Sequence, residues 1–398
     1  MLATLVMMGW SDAGTILDRF ALARRTLYQA QPRRGRGRRI GVFYQGFIKA
    51  LMKQGVGLIA QVQTHLRRVI IELPGAHAKV RGWLAFTVDG TKIDLPRTVA
   101  NERVFGTAGK NGCAPQQLLT ALLHMGTGLL WAWQIGPVRD SERSQLRQMI
   151  PLLPSRALLV ADAGFTGYDL LGTLESQGVC FLIRVGANVR LLSKLGYALT
   201  QQRNTVYLWP HDRRDQPPLT LRIIRLRGTG GKPVTLVTNV LDRSRLSRED
   251  AATLYHMRWG VEVVYRSLKQ TLQRRKMRCA AADRAAMELH GTLLSMTLLG
   301  LLSTSEIIRR GKTPLAWSVA CAVRLVRQSM RGEIRTVRTL RQRLSRAVKD
   351  RYVRRGSKAS RDYPKKKQTR PPGSPSVRTA TDTEVRHAAT FTRQLSTT

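Results

Sequence analysis

Acidic residues are scarce in this chain: 25 Asp and Glu stand against 67 Lys and Arg, a formal net charge of +42 over 398 residues. An excess of that size repels itself in a compact state unless a polyanion is close by. Nucleic acid fits first, because each neutralised phosphate releases condensed counterions. An anionic membrane surface fits second, and it would require an amphipathic or spanning segment. Long apolar runs are also missing. The most apolar windows, 118–130 and 289–302, fall short of the roughly 20 residues of a bilayer span. They are interrupted by His124 in the first and by His290 and Ser295 in the second. The apolar opening runs into Trp10, Ser11 and Asp12 without a basic leader, which is not the pattern of a secretory signal. No membrane association is expected. Cysteine is sparse, with Cys113, Cys180, Cys279 and Cys321 far apart and without paired spacing. They read as reduced core thiols of a cytoplasmic protein, and zinc ligation is not supported. The seven histidines form no ligand cluster. The glycines of 106–112 and 228–231 lack phosphate-loop spacing, which excludes a nucleotide-hydrolysis motif.

What is present is enough for a folded protein. The hydrophobic share, 43%, is ordinary for a sizeable core, and the length allows two or three domains. Helical periodicity marks 13–29 and 44–69, separated by the basic stretch Arg33-Arg34-Gly35-Arg36-Gly37-Arg38-Arg39. That stretch reads equally as a solvated linker or as a DNA-phosphate contact. From Val80 the pattern changes to short apolar runs. Strands are expected at 84–88, 115–125 and 129–135, with Gly126-Thr127-Gly128 as a turn. A helix starting at Asp140 or Ser141, where Ser141 can cap the orphan N–H groups, follows and runs to about Leu153. A buried strand at 157–161, a helix at 167–176 ending at Gly178, and a strand at 179–185 complete an α/β pattern with a mixed sheet. Strand character dominates 190–242, a β-rich insertion. After Ser247, a helix cap, helical periodicity returns and persists to about Val348. Residues 351–398 are basic, rich in Pro, Ser and Thr, and are expected to be disordered.

The informative helix is 247–278. At about 100° per residue, Leu254, Met257, Val261, Val264, Leu268 and Leu272 share an arc of about 80°. Beside that stripe, Tyr255, Arg258, Glu262 and Lys269 share about 60°. A lone Glu among cations is usually a surface ion pair of little worth; the alternative is an acid at the edge of a site whose cations hold phosphates. Asp89 and Asp162 each close an apolar strand and precede a small residue, Gly90 and Ala163. Taken alone, either is first a turn residue. Ligand groups do gather at strand ends in open α/β sheets. Three converging carboxylates would repel unless a divalent cation sat among them, and hard oxygen donors suit Mg²⁺ or Mn²⁺. Asp94, Asp140, Glu142 and Asp169 read as caps or surface charges.

Asp89-Gly90-Thr91-Lys92, Asp162-Ala163-Gly164-Phe165 and Tyr255-x2-Arg258-x3-Glu262-x6-Lys269 together resemble the DDE transposases of the insertion-sequence-four group. The last element matches that group's Tyr-Arg-Glu-Lys signature at every position and spacing. The resemblance spans about residues 80–275. It implies an RNase H-like core with Asp89 on the first strand and Asp162 on the fourth, interrupted by the β-rich insertion. It also implies two metal ions held by Asp89, Asp162 and Glu262, with Asp89 bridging both. Tyr255, Arg258 and Lys269 would contact phosphates at the transposon end, and Arg266 joins this DNA-binding set. Trp259 reads first as core packing and second as a stacking platform for a displaced base. Arg324, Arg327, Arg331, Arg335 and Arg338 share an arc on one expected C-terminal helix and read as a non-specific DNA face.

The organisation that follows is a helical DNA-end-binding region at 1–78, a catalytic core at 79–189 and 246–312, and the β-rich insertion at 190–245. A basic helical region at 313–350 and the tail at 351–398 complete it. The resemblance implies a cut-and-paste transposase, cytoplasmic and nucleoid-associated, acting as a homodimer on its terminal inverted repeats and a target DNA. Competing readings are an RNase H-like nuclease or resolvase that cleaves without joining, and an inactive DNA-binding derivative. The presence of all three carboxylates argues against the latter.

Overall fold

The computed structural model describes residues 1–30, 41–107, 114–198, 203–227, 233–350 and 373–395. The basic stretch 33–39, Cys113, and the glycines at 109, 112, 228, 230 and 231 lie outside these residues. The chain opens with helices α1 (Leu2–Trp10), α2 (Ile16–Ala30) and α3 (Tyr44–Glu72). Strand β1 (Ala85–Asp94), helix α4 (Val99–Phe105), the hairpin of β2 (Gln116–His124) and β3 (Leu129–Pro137), and helix α5 (Glu142–Met149) follow. Next come β4 (Leu158–Ala161), α6 (Tyr168–Ser176), β5 (Cys180–Val185) and β6 (Arg190–Ser193). Strands β7 (Thr205–Leu208), β8 (Leu219–Arg227) and β9 (Pro233–Thr238) follow in the predicted β-rich region. Helices α7 (Arg248–Met257), α8 (Gly260–Arg266), α9 (Ala282–Ile308), α10 (Val319–Met330) and α11 (Val337–Leu344) lead to β10 (Ser376–Thr379) and α12 (Asp382–Leu395).

Local chemistry sets these boundaries. The Ser141 hydroxyl accepts the Ser144 amide at 3.0 Å, and Ser247 accepts that of Asp250 at 2.9 Å. Each satisfies an orphan donor at a helix start. Gly128 adopts φ 69° to turn β2 into β3, a conformation that suits glycine.

The chain divides into two compact units, Met1–Leu152 with Trp259–Lys349, and Leu153–Arg258 with Asp350–Thr398. In the first, β1 pairs antiparallel with β2, and β2 with β3. Helix α9 runs through its core. Its 27 residues are long and apolar enough to cross a membrane, and 72% of its most apolar window is buried inside the fold. The expected window was shorter because His290 and Ser295 interrupt it. Both fit inside: His290 Nδ1 accepts from Trp133 Nε1 at 3.0 Å, and the Ser295 hydroxyl donates to the Thr292 carbonyl at 2.7 Å. Satisfied polar groups do not break a buried helix. The same core encloses charge. Arg19 and Arg274 are each 1% exposed and Glu288 8%. Arg19 Nη1 lies 3.5 Å from Glu288 Oε1, while Glu288 Oε2 accepts the amides of Arg278 and Cys279. Burial above all, with Arg19 nearby, pushes Arg274 down to about 9.

The expected arginine face on one C-terminal helix is not continuous. Helix α10 ends at Met330 and α11 starts at Val337. Arg327 Nε donates to the Trp10 carbonyl at 2.8 Å, and Arg331 pairs with Asp12 at 2.7 Å. Arg324, Arg335 and Arg338 remain exposed.

In the second unit, β4 and β5 are parallel, and β5, β9, β8, β7 and β6 follow as antiparallel neighbours. Strand β10 adds in parallel to β6. The expectation of disorder is therefore overturned for 373–395. Average composition cannot register that a short segment completes an existing edge. Glu384 accepts from both Arg378 Nη1 and Nη2 (2.8 and 2.6 Å) and from Arg214 Nη2 (2.6 Å). The His387 ring lies 5.1 Å from that of Trp209 and 5.7 Å from that of Phe391. These contacts offset the ordering entropy that a lone polar tail could not.

Candidate active site

Asp89 does not end its strand, as the apolar run suggested; it lies mid-way along β1. Ala85 to Val88 are buried, and from Asp89 the strand becomes half-exposed. Backbone pairing carries β1 onward, because the antiparallel register with β2 continues from Phe86 to Asp94, with Asp89 opposite Ala121. An apolar pattern reports burial, not strand length. Asp162 does stand at a strand end. It follows β4 directly, is half-buried, and accepts the Gly164 amide at 2.9 Å while capping a short 3₁₀ turn over Ala163–Phe165.

The expected single helix of 247–278 is broken. Helix α7 ends at Met257, Arg258 N closes a tight bond to the Tyr255 carbonyl at 3.3 Å, and α8 restarts at Gly260. Glycine disfavours helix interiors by about 1 kcal/mol relative to Ala. Beyond α8 a π-helical segment runs over Ser267–Thr271. The buried stripe survives the break: Leu254, Val261, Val264, Leu268 and Leu272 are all buried, and Met257 is half-buried. The boundary between the two units falls at Arg258 and Trp259. Tyr255 and Arg258 thus belong to the second unit with Asp162, while Glu262, Arg266 and Lys269 belong to the first with Asp89.

Within the second unit, Arg258 is 7% exposed and its guanidinium lies 5.8 Å from the centre of the Tyr255 ring, a cation–π distance. Within the first, α8 packs on β1 and β2. Glu262 is half-buried on it. Tyr265, one turn further on, is buried. Its hydroxyl donates to the Asp89 carbonyl at 2.5 Å and accepts from Ala121 N at 3.1 Å. That single phenol ties the Glu262 helix to the backbone of the Asp89 strand. Burial first, and then the nearby charges of Asp89 and Glu142, push its ionisation well above the ordinary tyrosine range. Lys269 is pushed down by burial, with Asp94 opposing that shift. Arg266 is exposed. Among the described residues no three His, Cys, Asp or Glu side chains are grouped so as to hold a metal ion.

These elements coincide with a family. A model of the transposase DDE domain matches residues 84–298, more than half the chain. The chain belongs to the transposase DDE domain family. It is 27% identical over 233 residues to transposase InsG for insertion sequence element IS4 of Escherichia coli (strain K12). That match takes in 55% of this chain and 52% of the relative, so the chain spans about half the length of the curated relative it matches. A cryo-EM structure of the piggyBac transposase synaptic complex with hairpin DNA overlays at TM-score 0.44 and 13% identity. It covers 91% of this chain and 78% of that one; at that level the likeness carries no argument.

Two residues near the DDE motifs escape a reading of the sequence. Tyr265 could have been noticed as the residue one turn after Glu262, although a buried tyrosine reads as core. Glu142 reads as a surface charge at a helix start, but it is half-buried, and its carboxylate lies where a Cβ on Gly90 would be. Gly90 is thus small because α5 presses an acid against the strand beside Asp89, a tertiary fact without local signal. Trp259 corrects a third expectation. It is 57% exposed, so it is not a core residue. At about 100° per residue it lies beside Tyr255 and well off the apolar stripe, so the helix itself turns it away from the core.

Proposed function

We propose that this DDE-family chain is a metal-dependent DNA transposase that cleaves at the ends of its own insertion sequence and joins them to a target by a cut-and-paste route. The carrying observation is the family match over 84–298, which takes in Asp89, Asp162, Glu262 and the whole Tyr-Arg-Glu-Lys signature. The named relative is a transposase.

In this reading Asp89, Asp162 and Glu262 are the metal ligands. The donor set suits Mg²⁺ or Mn²⁺, since all three are hard oxygen donors. Two divalent ions, when bound, activate an attacking water or 3′-hydroxyl and stabilise the leaving oxygen of an in-line displacement. The protein's own groups do the rest. Tyr265 holds the Asp89 strand and the Glu262 helix in one register. Arg258, kept in place by the Tyr255 ring, offers a bidentate fork for a phosphate. Lys269 and Arg266 add charge along the same strand of DNA, and exposed Trp259 offers a face on which an unpaired base can stack.

The partners proposed are the terminal inverted repeats and a target DNA, with two copies of the chain holding two ends. Residues 1–78 are assigned to end binding, 79–189 with 246–312 to the RNase H-like catalytic core, and 190–245 to its insertion. The site of action is the cytoplasm, on the nucleoid. The test is strand transfer. Labelled DNA carrying the inverted repeats that flank the gene is incubated with protein, Mg²⁺ and a target plasmid. Joined products are expected. Cleavage without joining would instead identify a nuclease, and end binding without nicking an inactive derivative.

A further inference from the structure

The second unit contains a cationic pocket that the DDE motifs do not use. A pocket of about 350 Å³, open to solvent, is lined by Asn204, Arg222, Ile223, Ile224, Arg225, Arg243 and Arg248. Arg222 forms its buried part at 4% exposure. One of its guanidinium nitrogens, Nη2, donates to the Leu246 carbonyl at 2.7 Å, while the equally buried Nε has no hydrogen-bond partner. A buried, unsatisfied guanidinium N–H costs on the order of 1–3 kcal/mol, more when the group is charged. Burial pushes Arg222 below the ordinary arginine range, and the neighbouring Arg243 pushes it in the same direction. The acid that opposes this, Asp242, is exposed and already occupied: its carboxylate accepts the Ser244 amide at 2.7 Å and the Ser244 hydroxyl at 2.7 and 2.8 Å.

The rim is cationic as well. Arg243 and Arg248 are exposed, and Arg248 is fixed over β8 by a bond from its Nε to the Arg225 carbonyl at 3.1 Å. That bond leaves the two terminal nitrogens of Arg248 to a ligand. Strand alternation puts Arg222 and Arg225 on opposite faces of β8, so Arg225 contributes its carbonyl rather than a third rim charge. A fixed fork beside a desolvated guanidinium is the arrangement that recognises a phosphate group.

We propose that Arg222, Arg243 and Arg248 form a phosphate-binding site that takes a backbone phosphate of DNA, separate from the signature residues Tyr255, Arg258 and Lys269. This rests on the DNA-handling reading above. It assigns the β-rich part of the second unit a direct, sequence-independent contact with the duplex.

The test uses the full chain and a fluorescent duplex of about 20 base pairs, with anisotropy followed across a salt series. Wild type is compared with the double variant Arg243→Gln, Arg248→Gln, whose exposed positions do not threaten folding, and with Arg222→Gln. Arg190→Gln, an exposed change outside the pocket, is the control. The double variant should bind about tenfold more weakly at fixed salt, and its slope of log Kobs against log[salt] should shrink by about 1. The control should leave the slope unchanged. Equal affinity and slope for wild type and double variant would overturn the proposal while leaving the transposase reading intact. A wild type that binds no DNA would remove both. A second arm compares melting temperatures in about 10 mM inorganic phosphate and in chloride of matched ionic strength. Phosphate stabilisation lost in the double variant, with DNA affinity unchanged, would show a free-phosphate site and so overturn the DNA assignment.

Discussion

Replacing Tyr265 with Phe removes one oxygen and little volume, which makes it a clean probe of how the site is held. The hydroxyl bonds both the Asp89 carbonyl (2.5 Å) and Ala121 N (3.1 Å). Those two groups face each other in the β1–β2 register, so each can recover part of its loss from the other. Two buried bonds at about 1 kcal/mol each, partly recovered, give a stability cost of about 1–2 kcal/mol. The catalytic cost should be larger. The same bonds set the spacing between the Asp89 strand and the Glu262 helix, and a misplacement on the order of 1 Å can cost about a hundredfold in rate. The expected outcome for Tyr265→Phe is a single-turnover strand-transfer rate lower by about 10- to 100-fold, with DNA affinity unchanged within about twofold. Rates are read from joined product at saturating protein, and affinity from anisotropy in Ca²⁺. Wild-type rates in a folded variant would refute the positioning role. A parallel fall in affinity would place the phenol in DNA binding instead.

Three other outcomes are expected. Changing Glu288 to Ala leaves the buried Arg19 without its carboxylate partner and should cost about 3–5 kcal/mol, read as a lower urea midpoint; a change under about 1 kcal/mol would mean that water already serves that guanidinium. Glu384 is held at about 2, first by its bond from Arg378 and also by Arg214. Because its folded value is depressed, the docking energy of β10 and α12 should be complete above about pH 4.5 and lost as pH falls toward 2. Hydrogen exchange over 376–391 should report that loss, and exchange that is flat through the window would contradict it. Finally, Trp259→Ala should weaken binding to an end with unpaired terminal bases by about 1–3 kcal/mol and leave binding to a fully paired duplex unchanged. Equal losses on both DNAs would rule out stacking.

Much of the chain's organisation was legible because it rests on short-range chemistry. The caps at Ser141 and Ser247, the turn at Gly128 and the β-rich stretch after Arg190 all follow from local residue preference. The motif carrying Glu262 was legible for a different reason: four residue types at fixed spacing make a chance match improbable. What was not legible depends on tertiary context. A buried strand and a long strand look alike from Leu84 to Val88, so Asp89 seemed terminal. Periodicity could not reveal that α7 and α8 part at Arg258, since a short break hardly disturbs the phase of the apolar stripe; the exposure of Trp259 was legible in that phase, and residue type alone argued for the core. Residues 373–395 lack the apolar content to fold alone, and their order derives from an edge strand and Trp209 far away in sequence. Glu142 against Gly90 and the pocket around Arg222 are long-range facts of the same kind.

The central claim is that Asp89, Asp162 and Glu262 jointly hold divalent ions. Manganese binding to the full chain, counted by electron paramagnetic resonance with end DNA present, tests it without requiring turnover. Asp89→Asn, Asp162→Asn and Glu262→Gln, each checked for an unchanged circular dichroism spectrum, should each weaken Mn²⁺ binding by about tenfold or more. Wild-type Mn²⁺ affinity in all three variants would contradict the account.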